Sequence, residues 1–186
     1  MSPNPLELDA IDRAFRAISE RARTVVSRVG ATRVDVPPGL KKWSIGECLV
    51  HLALTSEAYL PVWRNACHDA HSRGLSGEAP FTLDFWGRTW VWFLEPPPKL
   101  RFPAPKRFRP LVVPPTDEVL PAFLACQDEV LQVIAAAKGL PLDRMKITSP
   151  FDRRVRYSVW SSFCANAAHQ RRHLWQAERV ADVLLP

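Results

Sequence analysis

The sequence predicts an all-α fold: a single domain over residues 1–186, built as a four-helix bundle with a long crossover connection between helices two and three. Two observations carry this prediction. Four stretches repeat apolar residues at steps of three and four, the spacing of one helix face. Eight of the 18 prolines fall between Pro96 and Pro115, where no regular helix or central strand can run.

The first helix is predicted to begin near Asn4 and to end at Gly30. Asn4 can cap it, Pro5 suits the first helical position, and Glu7 stands where a capping box needs an acidic residue. Glycine at position 30 is a natural helix stop. The apolar stripe of this helix consists of Leu8, Ile11, Phe15, Ile18, Ala22 and Val25.

The second helix has the clearest start in the chain. Ser44 and Glu47 form a capping box, in which the serine hydroxyl accepts a backbone N–H and the glutamate carboxylate reaches back. The helix is predicted to continue toward Arg73, with a kink at Pro61, and to stop at the glycines that follow. Its stripe consists of Cys48, Leu52, Thr55, Tyr59 and Trp63.

Residues 74–115 form the predicted crossover, an irregular and proline-rich segment in which Asp84 to Glu95 could make a short helix. A connection of this length is typical of a crossover, a lid or a binding loop. Its aromatic side chains could line a substrate pocket, cap the core or form a dimer contact, and the sequence leaves these alternatives open. The residues concerned are Trp86, Trp90, Trp92 and Phe93.

The third and fourth helices are predicted at 116–138 and 156–184, joined by a linker that includes Pro141 and Pro150. Gly139 marks the end of the third helix. The predicted core face of the third helix is Val119, Phe123, Cys126, Val130 and Val133. That of the fourth is Val159, Phe163, Ala167, Leu174, Val180 and Val183.

The composition, 47% hydrophobic and 24% charged residues, is that of an ordinary soluble globular protein. The N-terminal residues show no secretory signal, and no apolar run approaches the ~18 residues of a membrane span. We therefore expect a cytoplasmic protein without membrane contact. The cysteines form no CxxC pair and are predicted to be reduced residues packed in helices. They are Cys48, Cys67, Cys126 and Cys164.

The formal charge of +6 permits nucleic-acid binding but does not indicate it. Residues 99–109 carry five positive side chains among eleven, interspersed with phenylalanine. This pattern could contact nucleic acid or an anionic substrate. We favour a solvated loop that its aromatic residues anchor to the bundle, and we expect no nucleic-acid partner.

Histidines supply the strongest chemical signal. His169 and His173 form an HxxxH pair in the last helix, where positions four apart differ by only about 40° around the axis. Both rings could therefore bind one ion, with bonds of ~2.1 Å. His51 lies on the buried stripe of the second helix, where an imidazole is costly unless something satisfies it. A shared metal ion would do so; hydrogen-bonded or solvent-facing histidines are the alternative.

Two polar residues near these histidines are secondary candidates. Glu47, one turn before His51, could be a general base or support a metal ligand, although closing the capping box is the simpler role. Asn166, three residues before His169, could orient a ligand or substrate, or could be a satisfied core residue. Gln176, three residues after His173, is a weaker candidate of the same kind. His68 and His71, near the end of the second helix, are expected to be solvated and outside the site.

Two segments resemble motifs of the DinB superfamily. Residues 43–52 resemble its W-S-x-x-E-x-x-x-H-L start of the second helix, and residues 169–176 resemble its HxxxH segment in the last helix. The helix lengths and order also match, whereas the middle of the chain is peculiar to this sequence. The resemblance implies a four-helix bundle with a long connection between helices two and three, and despite the superfamily's name it does not imply DNA repair.

The resemblance also implies a function. In the superfamily three histidines, corresponding to His51, His169 and His173, bind one divalent ion such as nickel or zinc and leave positions open to water. Characterised members include transferases and isomerases that use mycothiol or bacillithiol, and proteins described as metal-dependent hydrolases. We therefore expect a homodimer that acts on a small molecule as a metal-dependent hydrolase or a thiol-dependent transferase, with a low-molecular-weight thiol as co-substrate in the latter case. A non-catalytic metal- or ligand-binding helical bundle is the alternative.

Overall fold

A computed structural model of the chain describes residues 7–99 and 103–185, and the all-α class is confirmed. The helices are α1 (Leu8–Val29), α2 (Ile45–Ser72), α3 (Phe85–Leu94), α4 (Thr116–Ala136) and α5 (Val159–Leu184). Two short antiparallel strands, β1 (Lys146–Thr148) and β2 (Arg156–Ser158), precede α5. The four long helices form a closed ring of contacts, because α1 and α2 each pack against both α4 and α5.

The core lies inside this ring, and the predicted stripes account for most of it. The stripe of α1 is buried from Ile11 to Val29, and Gly30 ends the helix with a φ of 73°. The predicted start of α1 is only partly described, since Asn4 and Pro5 lie outside the described residues. Glu7 is the N-cap with extended dihedrals (φ −113°, ψ 144°), so its predicted place within the first turn is wrong.

The capping box that starts α2 is confirmed. The Glu47 backbone N–H donates to the Ser44 hydroxyl over 3.1 Å, and the Ser44 N–H donates to the Glu47 carboxylate over 2.7 Å. The helix then continues through Pro61 to Ser72. This start sets the rotation of α2, and with it the direction in which His51 leaves the helix.

The crossover contains α3, the short helix anticipated between Asp84 and Glu95, and α3 packs against α5. Asp84 anchors it, because its carboxylate accepts hydrogen bonds from the backbone N–H of Gly87 at 2.9 Å and of Ser158 at 2.6 Å, and from Lys146 at 2.9 Å. At the other end the Glu95 carboxylate forms a bidentate ion pair with Arg171 of α5, both contacts being 2.7 Å. The crossover is therefore attached to α5 at both ends of α3.

Two predictions about the last third of the chain are wrong. Residues 156–158 were expected to begin the last helix, but they form β2, which pairs with β1 in the predicted linker, and α5 begins at Val159. Strands of three residues are too short to show a recognisable period in the sequence. Val183 was expected in the core, but it is 60% exposed because it lies on the wall of a large cavity. The other predicted core residues of α4 and α5 are buried.

The four cysteines are unpaired, as predicted. Burial raises the pKa of the Cys67 thiol to about 11 and that of Cys126 to about 12. These thiols therefore remain protonated at neutral pH and act as packing residues.

Among the described helices, α4 has the length and hydropathy that would allow it to cross a membrane. This is weak evidence of a span, because the core helix of a soluble protein passes the same test. The buried face of α4, which includes Phe123 and Val130, packs against α1 and α2.

Candidate metal centre

Three histidines from two helices meet at one point. His51 comes from α2, and His169 and His173 come from consecutive turns of α5. One ring nitrogen of each lies within 4.8 Å of those of the other two, and the Nε2 atoms of His51 and His169 are 3.2 Å apart. The structure thus brings together the three residues that the sequence singled out.

Neighbouring groups select the tautomers of two of these rings. The Nδ1 atom of His51 lies 2.7 Å from the backbone carbonyl of Phe108, which can only accept, so Nδ1 carries the proton and donates. The Nδ1 atom of His173 lies 3.2 Å from the Gln176 side-chain oxygen, which likewise accepts, so this Nδ1 also carries the proton. In both rings Nε2 therefore keeps its lone pair, the arrangement usual for metal-binding histidines.

The electrostatics favour neutral rings. Burial lowers the pKa of His51, and burial together with the neighbouring imidazoles lowers that of His169 well below its usual value. Burial is also the main cause that lowers the pKa of His173, to about 3. All three imidazoles are therefore uncharged at neutral pH, which is the form that binds metals.

The donor set fits a divalent ion. Two nitrogens that are 3.2 Å apart and each bonded at ~2.1 Å to one ion would subtend an angle of about 100° at it. This angle lies between the octahedral and tetrahedral values. Imidazole nitrogen suits zinc, nickel, copper and iron, so the geometry does not choose among these ions.

Trp43 covers one side of the histidine cluster. Its ring centroid lies 4.9 Å from that of His51 and 5.8 Å from that of His173. The residue stands directly before the α2 capping box, so the cap that starts the helix also positions this indole. Sequence reasoning did not assign Trp43 or Phe108 to the site. Trp43 is the first residue of the W-S-x-x-E-x-x-x-H-L segment, so the sequence contained a signal for it. The role of Phe108 rests on its backbone carbonyl, which no residue type reveals.

The two secondary candidates have different surroundings. The Glu47 carboxylate is engaged in the capping box and does not line the cavity beside the histidines. Asn166 does line it, and its side chain is 2% exposed. The Asn166 carbonyl oxygen accepts from Gln170 over 3.0 Å, while its Nδ2 is buried without a hydrogen-bond partner.

The histidines lie on the wall of a cavity of about 1150 Å³. Aromatic side chains form much of this wall: Trp90 and Phe93 of α3, Phe108 of the crossover, and Phe151 beside β2. Trp86 and Trp92 of α3 do not line it and are 39% and 60% exposed. Of the four aromatic residues predicted as pocket candidates, two thus face the cavity.

Two residues between His169 and His173 hold the crossover over the cavity. Arg171 pairs with Glu95, and Arg172 donates to the Phe93 carbonyl over 3.1 Å. The segment of α5 that carries the HxxxH pair therefore also fixes α3.

The basic stretch at 99–109 is described except for residues 100–102. Its Phe108 is buried at 6% exposure, and the Arg107 guanidinium lies over the Phe108 ring while donating to the Pro150 carbonyl. The expected anchoring of this loop by an aromatic residue is therefore confirmed for Phe108.

Comparison with protein-family models matches residues 14–177 to the DinB superfamily. No curated protein and no solved structure gives a significant match. The matched segment includes α2, the crossover and the histidines of α5, and it covers well over half of the chain. The chain therefore belongs to the DinB superfamily.

Proposed function

We propose that this protein binds one divalent metal ion, nickel or zinc, through His51, His169 and His173, and that it acts on a small molecule at that ion. The observation that carries the proposal is the meeting of three neutral imidazoles on a cavity wall. Three protein ligands without charge are typical of catalytic sites, which keep a position open, and closed structural sites have four.

When bound, such an ion ionises a water or a thiol at neutral pH, which supports hydrolysis or thiol transfer. Two tyrosine side chains of the protein can supply a hydrogen-bond donor for this chemistry. Tyr59 and Tyr157 share a 2.6 Å hydrogen bond at the cavity wall. Burial raises the pKa of both hydroxyls, so they remain protonated, and the hydroxyl that accepts within the pair keeps its own O–H to donate to a substrate oxygen.

Thiol chemistry would need a thiol from outside the chain. None of the four cysteines lines the cavity. For the transferase form of the proposal the nucleophile would therefore be a low-molecular-weight co-substrate. For the hydrolase form of the proposal the nucleophile would be water. The side chains of the cavity are compatible with either nucleophile.

The test is elemental analysis of the full chain purified without added metal or chelator, comparing His169→Ala with wild type. We expect about one ion per wild-type chain and loss of the ion in His169→Ala. His68→Ala is the matched control, since His68 is an exposed helical histidine outside the cluster. A metal-poor wild type, or a His169→Ala variant that keeps its ion, would refute metal binding.

Thermal unfolding separates loss of the ion from loss of the fold. Because the ion binds only the folded chain, a chelator should remove ~4 kcal/mol of stability when the free ion is at about 1,000 times its Kd. A His169→Ala variant that melts like the chelated wild type is folded. If the chelator lowers the melting temperature but no hydrolase or thiol-transferase substrate is turned over, the protein is a non-catalytic metal-binding bundle.

A further inference from the structure

We propose that the ligand of the cavity is an organic anion with an apolar body, such as an aryl-substituted carboxylate. The inference rests on the proposed function, because it concerns the same cavity. It adds the chemical class of the molecule, which the three histidines do not specify. Charge, wall composition and one buried amide carry it.

The first observation is the charge of the wall. Among the described residues, five cationic side chains and one carboxylate, that of Asp152, line the cavity. This carboxylate already accepts from the backbone N–H of Arg154 at 2.9 Å and from its guanidinium at 3.2 Å. The cationic residues are Lys41, Lys42, Arg109, Arg172 and Arg179, of which Arg179 forms an ion pair with Asp182 at 2.7 Å. Walls of one sign and low dielectric concentrate the field and attract an ion of opposite sign.

The ligand set increases this excess of positive charge. Three neutral imidazoles contribute no negative charge, so a divalent ion would add its full charge to a cavity that is already positive. A site with carboxylate ligands would compensate the ion itself. Here the compensating charge has to come from what enters the cavity.

Three of the cations lie close to the histidine cluster along the chain. Lys41 and Lys42 directly precede Trp43, the indole that packs on the cluster. Arg109 directly follows Phe108, whose carbonyl accepts from His51. Within the described part of the chain, none of these three has a carboxylate within ion-pair distance. They are available to an anionic group that reaches the metal centre.

The second observation is the apolar character of the remaining wall. Aromatic rings from α3, the crossover and the segment before β2 line the cavity, and those of Phe108 and Phe151 pack edge to face with centroids 4.8 Å apart. A volume of about 1150 Å³ slightly exceeds the ~300–1,000 Å³ usual for small-molecule sites. A small inorganic anion would leave these rings uncovered, whereas an aromatic or aliphatic body would bury them.

The third observation is the Asn166 amide. Its Nδ2 group is buried, faces no acceptor, and belongs to a cavity-lining residue one turn before His169. A buried donor without a partner destabilises the folded chain, and an acceptor on a ligand would remove that cost. The Asn166 oxygen accepts from Gln170, whose own Oε1 is also buried without a partner, and the Nδ2 end of Asn166 can donate one further hydrogen bond to a ligand oxygen.

The test is calorimetric titration of the full chain, zinc-loaded and metal-free, with matched probes. 3-Phenylpropionate carries the anion and the apolar body, 3-phenylpropanamide is its neutral counterpart, and acetate is the anion without the body. We expect 3-phenylpropionate to bind at least ten times more tightly than either of the others. Phenyl phosphate is compared with 3-phenylpropionate to identify the preferred anion. The tighter of the two shows whether the site prefers a phosphate or a carboxylate.

Charge variants locate the effect. Lys41→Gln combined with Lys42→Gln should weaken 3-phenylpropionate about tenfold and leave the amide unchanged. Lys138→Gln is the matched control, since Lys138 is exposed and does not line the cavity. Equal binding of acid and amide, equal binding of acetate and 3-phenylpropionate, or no binding of any probe would overturn the proposal.

Zinc and nickel content, measured after loading with each ion, separates this proposal from the proposed function. A chain that takes up neither ion refutes metal binding, and the preference for the anion is then decided on the metal-free protein, whose cationic side chains are still present. A chain with one zinc ion and no preference for the anion refutes only the ligand class.

Discussion

Replacing Gly87 by alanine should loosen α3 from α5 and open the cavity wall. A Cβ atom at this position would lie 2.5 Å from Cβ and 3.2 Å from Cα of Ser161. Carbon atoms pack best at ~3.5–4.0 Å, so α3 would have to move by about 1 Å. The nearest atom is the Ser161 hydroxyl oxygen, which can rotate, but Cα belongs to the α5 backbone and Cβ is bonded to it, so no side-chain rotation moves these two carbons.

The cost follows from three contributions. Overpacking a well-filled contact costs ~1–3 kcal/mol. The shift would also weaken the hydrogen bond from the Asp84 N–H to the Ser161 hydroxyl, 3.1 Å long, which is worth ~1 kcal/mol. The higher helix propensity of alanine returns up to ~1 kcal/mol. We expect a net destabilisation of about 2 kcal/mol, or a melting temperature lower by ~4–8 °C for a chain of this size.

Urea and thermal unfolding of Gly87→Ala measure this loss, and titration with an aryl anion measures the effect on the cavity wall. Thr89→Ala, at an exposed position of the same helix, is the control and should change stability by less than ~0.5 kcal/mol. Adding Ser161→Gly removes the opposing side chain, so the double variant should be more stable than the sum of the single effects predicts. Gly87→Ala at wild-type stability, or additive effects, would refute this account of how α3 is seated.

Two further predictions concern pH and the α2 cap. Burial lowers the pKa of the three histidines, that of His173 to about 3, so below pH ~6.5 the unfolded metal-free chain binds protons that the folded chain does not. Its free energy of unfolding should therefore fall between pH 7 and 4, by at most ~1.4 kcal/mol per pH unit for each histidine, and the urea midpoint should fall with it. A midpoint that stays constant would contradict the burial argument. Ser44→Ala removes the hydroxyl that accepts from the Glu47 N–H and should cost ~1 kcal/mol in denaturant unfolding. Ser72→Ala, at the exposed end of the same helix, should change stability by less than ~0.5 kcal/mol, and equal effects of the two would count against the capping box.

Local rules were sufficient to predict the long helices and to predict that His169 and His173 leave one face of the last helix. The capping box at Ser44 involves residues three apart, and the HxxxH pair involves residues four apart, so both follow from helix geometry. The apolar stripes likewise identified most of the core. Val183 shows the limit of this reasoning: its spacing is that of a core residue, but whether a helix face meets protein or a cavity depends on distant segments.

Long-range contacts explain what was missed. The carbonyl that orients His51 comes from Phe108, 57 residues away, and a backbone carbonyl has no signature in the sequence. The strands β1 and β2 are stabilised by pairing with each other and by the Asp84 hydrogen bonds rather than by a periodic pattern of their own. In the same way, nothing local to Arg171 indicates that its partner is Glu95 of the crossover.

By itself the sequence determined the helices, the three histidines and the superfamily, because each depends on residue types at short and regular spacing. Only the tertiary structure decided that the three imidazoles share one point, that the crossover closes over them, and that the resulting cavity is aromatic and positively charged. These properties depend on side chains far apart in the chain, and their proximity is set by packing of the whole molecule.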